Sequence, residues 1–235
     1  MSAQSIEAIS TGCYSFDRML RTGFPTGNIS LIYGEADTGK TTIAIQCAVN
    51  VAKKGFKAIF IDSDNAFTSI RLSQIAHQYT EKISPNIVIF SPKNFKEQIH
   101  LIENLDNYFT PNVVVVIIDT ISSLYRVELG SMEETFALNR ELNRQLAYLA
   151  QIVGEKKIAV ILTSQVYNVF GKDQKPDIEP VAERVLKFWS KVIVHLEKTQ
   201  RTDVREAALE KFLGMNHPRA RCYFKLTETG INDLG

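Results

Sequence analysis

Residues 34–42, with the sequence GEADTGKTT, constrain the fold of this chain more than any other segment. Gly34, Gly39, Lys40 and Thr41 match the phosphate-loop pattern G-x-x-x-x-G-K-[ST], whose backbone N–H groups surround a phosphate. An apolar, strand-like run precedes the loop, and apolar residues at helical spacing follow it. This order places a phosphate at a helix N-terminus, where the helix dipole favours an anion. The segment therefore predicts an α/β domain that binds a nucleotide.

The loop pattern also predicts the contacts of each residue. Lys40 is expected to pair with the β- and γ-phosphates, and the Thr41 hydroxyl is expected to ligate Mg²⁺. ATP and Mg²⁺ are therefore the predicted cofactors. The predicted nucleotide-binding residues of the loop are Gly34, Glu35, Ala36, Asp37, Thr38, Gly39, Lys40, Thr41 and Thr42.

Apolar runs alternate with helical patterns along the whole chain. Such alternation predicts a mostly parallel central sheet flanked by helices, as in P-loop NTPase cores. The apolar runs are unbroken, as expected of strands covered on both faces. The predicted strands are 29–33, 58–62, 87–90, 113–118, 158–163, 192–197 and 222–227. The predicted helices are 13–21, 41–54, 67–79, 94–108, 133–153 and 204–213.

Polar residues follow three of the predicted strands, at the edge where ligands bind in such sheets. Asp119 ends the run Val113–Ile118 and is expected to hold the water shell of the magnesium ion. Asp62 and Asp64 follow another strand; a carboxylate here either orients the attacking water or caps the next helix, and capping fits Asp62 better. Gln165 follows a third strand, where an amide can donate to a phosphate oxygen.

Composition narrows the function classes. The formal net charge is +1, so the overall charge of the chain does not indicate nucleic-acid binding. Locally, however, six basic and two acidic residues lie between 184 and 205. Three scattered cysteines without a C-x-x-C pair argue against a disulfide framework or zinc site. The N-terminus lacks the charge and apolar core of a signal peptide, and no apolar run is long enough to span a membrane. These features predict a cytoplasmic protein with no membrane partner.

Several motifs together resemble the RecA/RadA family of recombination ATPases over nearly the whole chain. Residues 9–34 resemble the family segment before the phosphate loop, and residues 61–72 (IDSDNAFTSIRL) resemble I-D-T-E-G-x-F-x-x-x-R-L. Residues 163–166 (TSQV) and 222–232 (CYFKLTETGIN) resemble its later strands. A shorter archaeal subgroup further resembles the chain at 90–98, 143–148 and 180–185. The resemblance implies one RecA-like ATPase domain over residues 1–235, without the family's N-terminal helical DNA-binding domain.

The resemblance assigns roles to single residues. Lys40, Asp64 and Gln165 match the catalytic positions, and Gln165 matches the glutamine that senses the γ-phosphate. Arg71 matches the arginine that packs against adenine. Thr41 and Asp119 match the magnesium site.

The same resemblance implies DNA binding, with single-stranded DNA favoured. Arg126 follows the strand of the first DNA-facing loop, and residues 166–183 match the second. A basic stretch by itself is more often a solvent-exposed face, so these basic residues support DNA binding only in combination with the two loops. The predicted DNA-binding residues are Arg126, Lys172, Lys175, Arg184, Lys187, Lys198, Arg201 and Arg205.

Three departures from the family pattern bear on function. Asp64 stands where the family has a catalytic glutamate, and its carboxylate sits about 1.5 Å farther back, so hydrolysis is expected to be slow. No F-x-x-A motif, which joins protomers in the family's filaments, occurs in the sequence. Arg219 and Arg221 follow Pro218 where the family has acidic residues, which alters nucleotide capping or adds to a DNA surface.

The sequence thus predicts an ATP- and DNA-binding accessory protein of homologous recombination and DNA repair, with weak Mg-dependent hydrolysis of the β–γ phosphoanhydride. Its expected protein partners are a RadA-type recombinase and, as a second candidate, a Holliday-junction nuclease. Two alternatives stay open. One is a non-hydrolysing, ATP-gated adaptor that docks a recombinase or nuclease, and the other is a KaiC-like signalling ATPase. A small-molecule kinase is disfavoured because no arginine-rich lid segment is evident.

Overall fold

The computed structural model describes residues 6–169, 177–180, 182–216 and 220–234. Its strands alternate with helices through the first two thirds of the chain. The strands are β1 (Ala8–Ile9), β2 (Phe24–Pro25), β3 (Asn28–Gly34), β4 (Lys57–Asp62), β5 (Ile87–Phe90), β6 (Val113–Asp119), β7 (Ala159–Val169), β8 (Asp177–Pro180), β9 (Val192–Lys198), β10 (Val204–Phe212), β11 (Met215–Asn216), β12 (Arg221–Thr227) and β13 (Gly230–Asp233).

The helices vary widely in length. They are α1 (Tyr14–Met19), α2 (Lys40–Lys53), α3 (Ser69–Ala76), α4 (Thr80–Ile83), α5 (Phe95–Glu103), α6 (Ser123–Val127), α7 (Met132–Lys156) and α8 (Glu183–Trp189). Side-chain caps set several of their starts, and the longest, α7, begins with a capping box between Ser131 and Glu134. No helix of the described residues is long and apolar enough to cross a membrane.

The main sheet has the strand order β13-β12-β10-β9-β3-β7-β6-β4-β5 within the described residues. The six strands from β9 to β5 in this order pair in parallel, and β10, β12 and β13 extend the sheet by antiparallel pairing. β1 pairs separately with β2, β8 pairs with β7, and β11 pairs with β10. The predicted mostly parallel sheet with flanking helices is confirmed.

Helices cover the central strands on both faces. On β6, Val115 and Ile117 face a core that contains the apolar side of α2, whereas Val116 and Ile118 face a second core that contains α5, α7 and α8. This alternation follows from the two-residue period of a strand. Cys47 of α2 is buried in the first core. The unbroken apolar run of β6 is therefore explained by burial on both faces.

The predicted helix at 204–213 is wrong, because these residues form β10. The sequence VREAALEKF is rich in good helix formers, but β10 pairs with β9 on one side and with β12 on the other. These two ladders satisfy the backbone of the segment and bury Val204, Ala207, Leu209 and Phe212. Tertiary pairing therefore overrides local propensity here.

Part of the segment after Gln165, which the resemblance assigns to a DNA-facing loop, forms regular structure. β7 continues to Val169 and pairs with β8, from Val166 opposite Pro180 to Val169 opposite Asp177. Helix α8, which the periodicity also missed, begins at Glu183. Lys172 and Lys175 lie outside the described residues.

Candidate functional site

The phosphate loop joins β3 to α2 and has room only for glycine at its first position. A Cβ atom on Gly34 would lie 2.4 Å from the carbonyl oxygen of Leu196, on the neighbouring strand β9. Gly39 has φ +98°, in the left-handed region that glycine adopts without strain. No side chain of the described residues caps α2, whose first N–H groups therefore lack such a partner. This backbone suits an anion at the start of α2.

Lys40 is a buried lysine at the first position of α2. Its Nζ donates hydrogen bonds to the carbonyl oxygens of Gly34 (2.8 Å) and Glu35 (2.6 Å). Burial lowers the pKa of Lys40 to about 8, although the nearby carboxylates of Asp119, Asp37 and Asp64 act in the opposite direction. An anion beside the loop would compensate this buried charge.

Asp119 ends β6 as a completely buried carboxylate. Burial raises its pKa to about 6, and the neighbouring hydroxyl groups of Thr163 and Thr41 partly offset that effect. Thr163 Oγ1 donates to Oδ1. Oδ2 is buried and has no hydrogen-bond partner among the described residues. A buried carboxylate oxygen without a donor, next to a threonine hydroxyl, fits the water shell of a bound magnesium ion.

The two aspartates after β4 have different environments. Both carboxylate oxygens of Asp62 accept bonds from backbone N–H groups, of Ala66 (3.0 Å) and Phe67 (2.9 Å). Asp62 therefore holds the loop that precedes α3, but it does not cap the helix as predicted, since Thr68 is the N-cap and accepts from the Arg71 N–H. Asp64 is exposed and has no hydrogen bond or ion pair to a described residue. Its carboxylate is thus available to a water molecule at the same edge of the sheet.

Gln165 is brought beside the phosphate loop by strand register. It lies opposite Gly34 in the parallel pair of β3 and β7, and Asp62 lies opposite Asp119 in the pair of β4 and β6. The carboxyl ends of these four strands therefore meet at one edge of the sheet. This is the edge where open α/β sheets bind their ligands.

Arg71 on α3 links the start of α2 to the turn between β12 and β13. Its guanidinium donates to Thr42 Oγ1 (2.9 Å) and to the carbonyl oxygen of Glu228 (2.5 Å). Burial lowers the pKa of Arg71. The structure thus places Arg71 at the rim of the phosphate loop, bonded to the residue that follows the loop pattern.

A buried hydrogen-bond network behind Asp64 was not predicted. Ser63 Oγ donates to Gln98 Oε1 (3.0 Å), and Gln98 Nε2 donates to Gln145 Oε1 (3.0 Å) and to the carbonyl oxygen of Ile121 (3.3 Å). The two glutamines lie on α5 and α7 and are completely buried. The network therefore fixes the strand end that carries Asp64. Helical periodicity gives no signal for glutamines that pair inside a core.

The predicted DNA-binding residues differ in their surroundings. Arg126 on α6 and Arg184 on α8 are exposed and have no side-chain partner among the described residues. Lys198 lies 4.0 Å from Glu35, Arg201 pairs with Asp203 at 3.2 Å, and Lys187 lies 3.7 Å from Glu210. The Lys198 and Arg201 pairs are exposed and therefore weak, so they do not prevent these cations from binding phosphate, whereas the Lys187–Glu210 pair is half-buried.

Arg205 is the exception, since it is 8% exposed rather than at the surface. Its Nε donates to the carbonyl oxygen of Asp37 (2.9 Å), and its Nη1 donates to those of Thr202 (2.8 Å) and Val204 (3.0 Å). The expectation of an exposed DNA contact at Arg205 is therefore corrected. The side chain faces the phosphate loop because the segment is a strand and not a helix.

The comparisons with known proteins agree with this geometry. The family model described as Rad51 matches residues 2–234. The chain belongs to the Rad51 family. Among its relatives, the "DNA repair and recombination protein RadB" of Methanococcoides burtonii is 34% identical over 226 residues, which cover 96% of this chain and 97% of that protein. The protein of the same name from Methanosphaera stadtmanae is 36% identical over 92% of each chain.

A solved structure of this Rad51-family type has the same fold. The crystal structure of "the RadB recombinase" superposes with a TM-score of 0.81 at 33% sequence identity, covering 97% of this chain and all of that one. The similarity therefore includes both the edge of the sheet that carries the phosphate loop and the antiparallel strands β10, β12 and β13.

Proposed function

We propose that this chain is a RadB-like DNA repair and recombination protein that binds Mg-ATP at residues 34–42 and hydrolyses it slowly. One observation carries the proposal. Lys40, Asp119 and Gln165 converge at one edge of the sheet, in a chain that resembles RadB proteins along nearly its full length. The sequence similarity supports a role in DNA repair and recombination, and the converging side chains support binding and hydrolysis of Mg-ATP.

Each residue has a distinct task in this proposal. Lys40 holds a positive charge beside the β- and γ-phosphates, and the N–H groups of the loop bind their oxygens. Asp119 and Thr41 orient the water shell of the metal, which neutralises charge on the transferred phosphoryl group when it is bound with ATP. Asp64 orients a water molecule toward the γ-phosphate.

DNA binding rests on the exposed cations at the loop ends. Both residues are exposed: Arg126 lies on α6, which follows the strand that carries Asp119, and Arg184 lies at the start of α8, which follows residues 166–183. Their contacts are expected to be with DNA phosphates, so affinity falls steeply with salt. We propose single-stranded DNA as the preferred ligand and a RadA-type recombinase as the protein partner, with a Holliday-junction nuclease as a second candidate partner.

The proposal is tested by measuring the affinity of the purified protein for Mg-ATP by calorimetry and for a fluorescent single-stranded oligonucleotide by anisotropy. Wild-type protein is expected to bind both, whereas Lys40→Ala loses ATP binding. An ATP affinity that is equal in wild type and Lys40→Ala would contradict the assignment of the loop.

The exposure of Asp64 favours one second candidate, the ATP-gated adaptor. A short, unpartnered carboxylate at the position of the catalytic base is compatible with ATP acting only as a conformational ligand. In that case, ATP binding changes the affinity for a recombinase while turnover stays at the level of the Lys40→Ala blank. The KaiC-like alternative predicts no DNA affinity at all.

A further inference from the structure

Asp37, in the middle of the phosphate loop, has an unusual backbone conformation. Asp37 has φ +63°, in the left-handed region that non-glycine residues rarely adopt. The next two residues lead into α2: Thr38 Oγ1 donates to the carbonyl oxygen of Glu35 (2.8 Å), and Gly39 is the N-cap of the helix. The loop therefore needs Asp37 in this conformation, and contacts from elsewhere must maintain it.

Arg205 supplies such a contact from β10. Its Nε lies 2.9 Å from the carbonyl oxygen of Asp37, the backbone group whose direction is set by the left-handed turn. The guanidinium is itself fixed, since its Nη1 bonds the carbonyl oxygens of Thr202 and Val204. β10 also pairs on both sides within the sheet. A buried arginine, fixed by its own backbone contacts, thus holds the carbonyl group of Asp37 in the phosphate loop.

A second contact joins β9, the antiparallel neighbour of β10, to the phosphate loop. Lys198, at the end of β9, lies 4.0 Å from the Glu35 carboxylate. This exposed pair is weak, so the buried Arg205 bond carries most of the connection.

We propose that Arg205 is a positioning residue of the phosphate loop, which holds Asp37 in its left-handed conformation and so keeps the loop N–H groups arranged for a nucleotide phosphate. The inference rests on the proposed ATP site and deepens it. Arg205 touches no substrate in this account and acts only through the Asp37 carbonyl group.

The test is a double-mutant cycle on the full chain, with Mg-ATP affinity measured by calorimetry. Arg205→Met is expected to weaken ATP binding about tenfold, because a charge-assisted hydrogen bond to the loop is lost. Asp37→Gly is the second arm of the cycle, and its own effect on affinity is measured separately. In the Asp37→Gly background Arg205→Met is expected to cost much less than tenfold, because glycine adopts φ +63° without help. The matched control is Arg18→Met, an exposed arginine on α1, which leaves affinity unchanged.

A second readout separates this inference from the ATP site itself. Amide hydrogen exchange of residues 35–39, measured without nucleotide, is expected to accelerate in Arg205→Met and to remain at the wild-type rate in Arg18→Met. If Arg205→Met does not fold, the same measurements on Arg205→Lys replace it. Unchanged exchange and affinity, or a loss of affinity that Asp37→Gly does not relieve, would overturn the inference. Accelerated exchange in a protein that binds no ATP would support the positioning role while refuting the proposed function.

Discussion

The ammonium group of Lys40 lies 2.8 Å from the carbonyl oxygen of Gly34, the glycine that opens the phosphate loop. The loop thus binds its own lysine by backbone carbonyls, in a buried place where the charged form is disfavoured and the pKa is lowered to about 8. The residue assigned to phosphate binding is therefore one that destabilises the fold by itself.

Replacing Lys40 by methionine should stabilise the protein in the absence of nucleotide. A shift from the ordinary lysine pKa of 10.5 to about 8 corresponds to a destabilisation of about 3 kcal/mol. The lost hydrogen bonds reduce the gain, so we expect Lys40→Met to raise the free energy of unfolding by about 1–2 kcal/mol at pH 7. Urea unfolding measures this. Added Mg-ATP should stabilise only the wild type, and a less stable Lys40→Met would contradict the account.

The same group makes stability depend on pH in alkaline solution. Between pH 8 and the unfolded-state pKa of 10.5, the unfolded chain binds the Lys40 proton more tightly than the folded chain does. The free energy of unfolding of wild type should therefore rise with pH across this window, relative to Lys40→Met. Parallel pH profiles of the two proteins would show that Lys40 is not the titrating group.

Affinity for Mg-ATP should be highest between about pH 6 and pH 8. Below this window Asp119, whose pKa is raised to about 6, takes up a proton and loses its attraction for the metal. Above it, Lys40 loses the proton that pairs with phosphate. Calorimetric titrations from pH 5 to pH 9 measure the two limbs. Asp119→Asn should remove the acidic limb, and an acidic limb that persists in this variant would contradict the assignment.

Lengthening the side chain at Asp64 tests whether it limits hydrolysis. Asp64→Glu is expected to increase ATP turnover about tenfold, because the carboxylate then reaches about 1.5 Å farther toward the γ-phosphate. Asp64→Asn, which keeps the length and removes the base, should reduce turnover to the Lys40→Ala blank. Equal rates in all three proteins would exclude Asp64 from the reaction.

Charge reversal at the exposed arginines tests the DNA surface. Arg126→Glu combined with Arg184→Glu is expected to weaken single-stranded DNA binding at least tenfold and to lower the slope of log affinity against log salt by about two. The matched control is Lys54→Glu combined with Lys82→Glu, which reverses two exposed cations at the end of α2 and on α4 and changes the net charge equally. If the two double variants weaken binding equally, the effect comes from net charge alone.

The nucleotide edge could be predicted from the sequence because its residues follow unbroken apolar strands. Asp119 and Gln165 come directly after such runs, so topology alone brings them to the phosphate loop. The role of Arg205 could not be predicted in this way. Its segment has the composition of a helix, and only pairing with β9 and β12 turns the side chain toward Asp37.

The sequence also does not predict the network of Ser63, Gln98 and Gln145, because it depends on contacts between distant segments. The two glutamines meet only because α5 and α7 pack side by side on one face of the sheet. Contacts between side chains far apart in sequence are set by packing, and periodicity along one helix does not contain that information.

The most direct test of the account is ATP turnover by the purified protein with and without single-stranded DNA, using Lys40→Ala as the blank. We predict slow turnover above the blank that DNA increases, since Gln165 lies opposite Gly34 and begins the segment assigned to DNA. Turnover that stays at the blank level with saturating DNA, in a protein that binds Mg-ATP, would contradict the proposed slow hydrolysis and favour the ATP-gated adaptor.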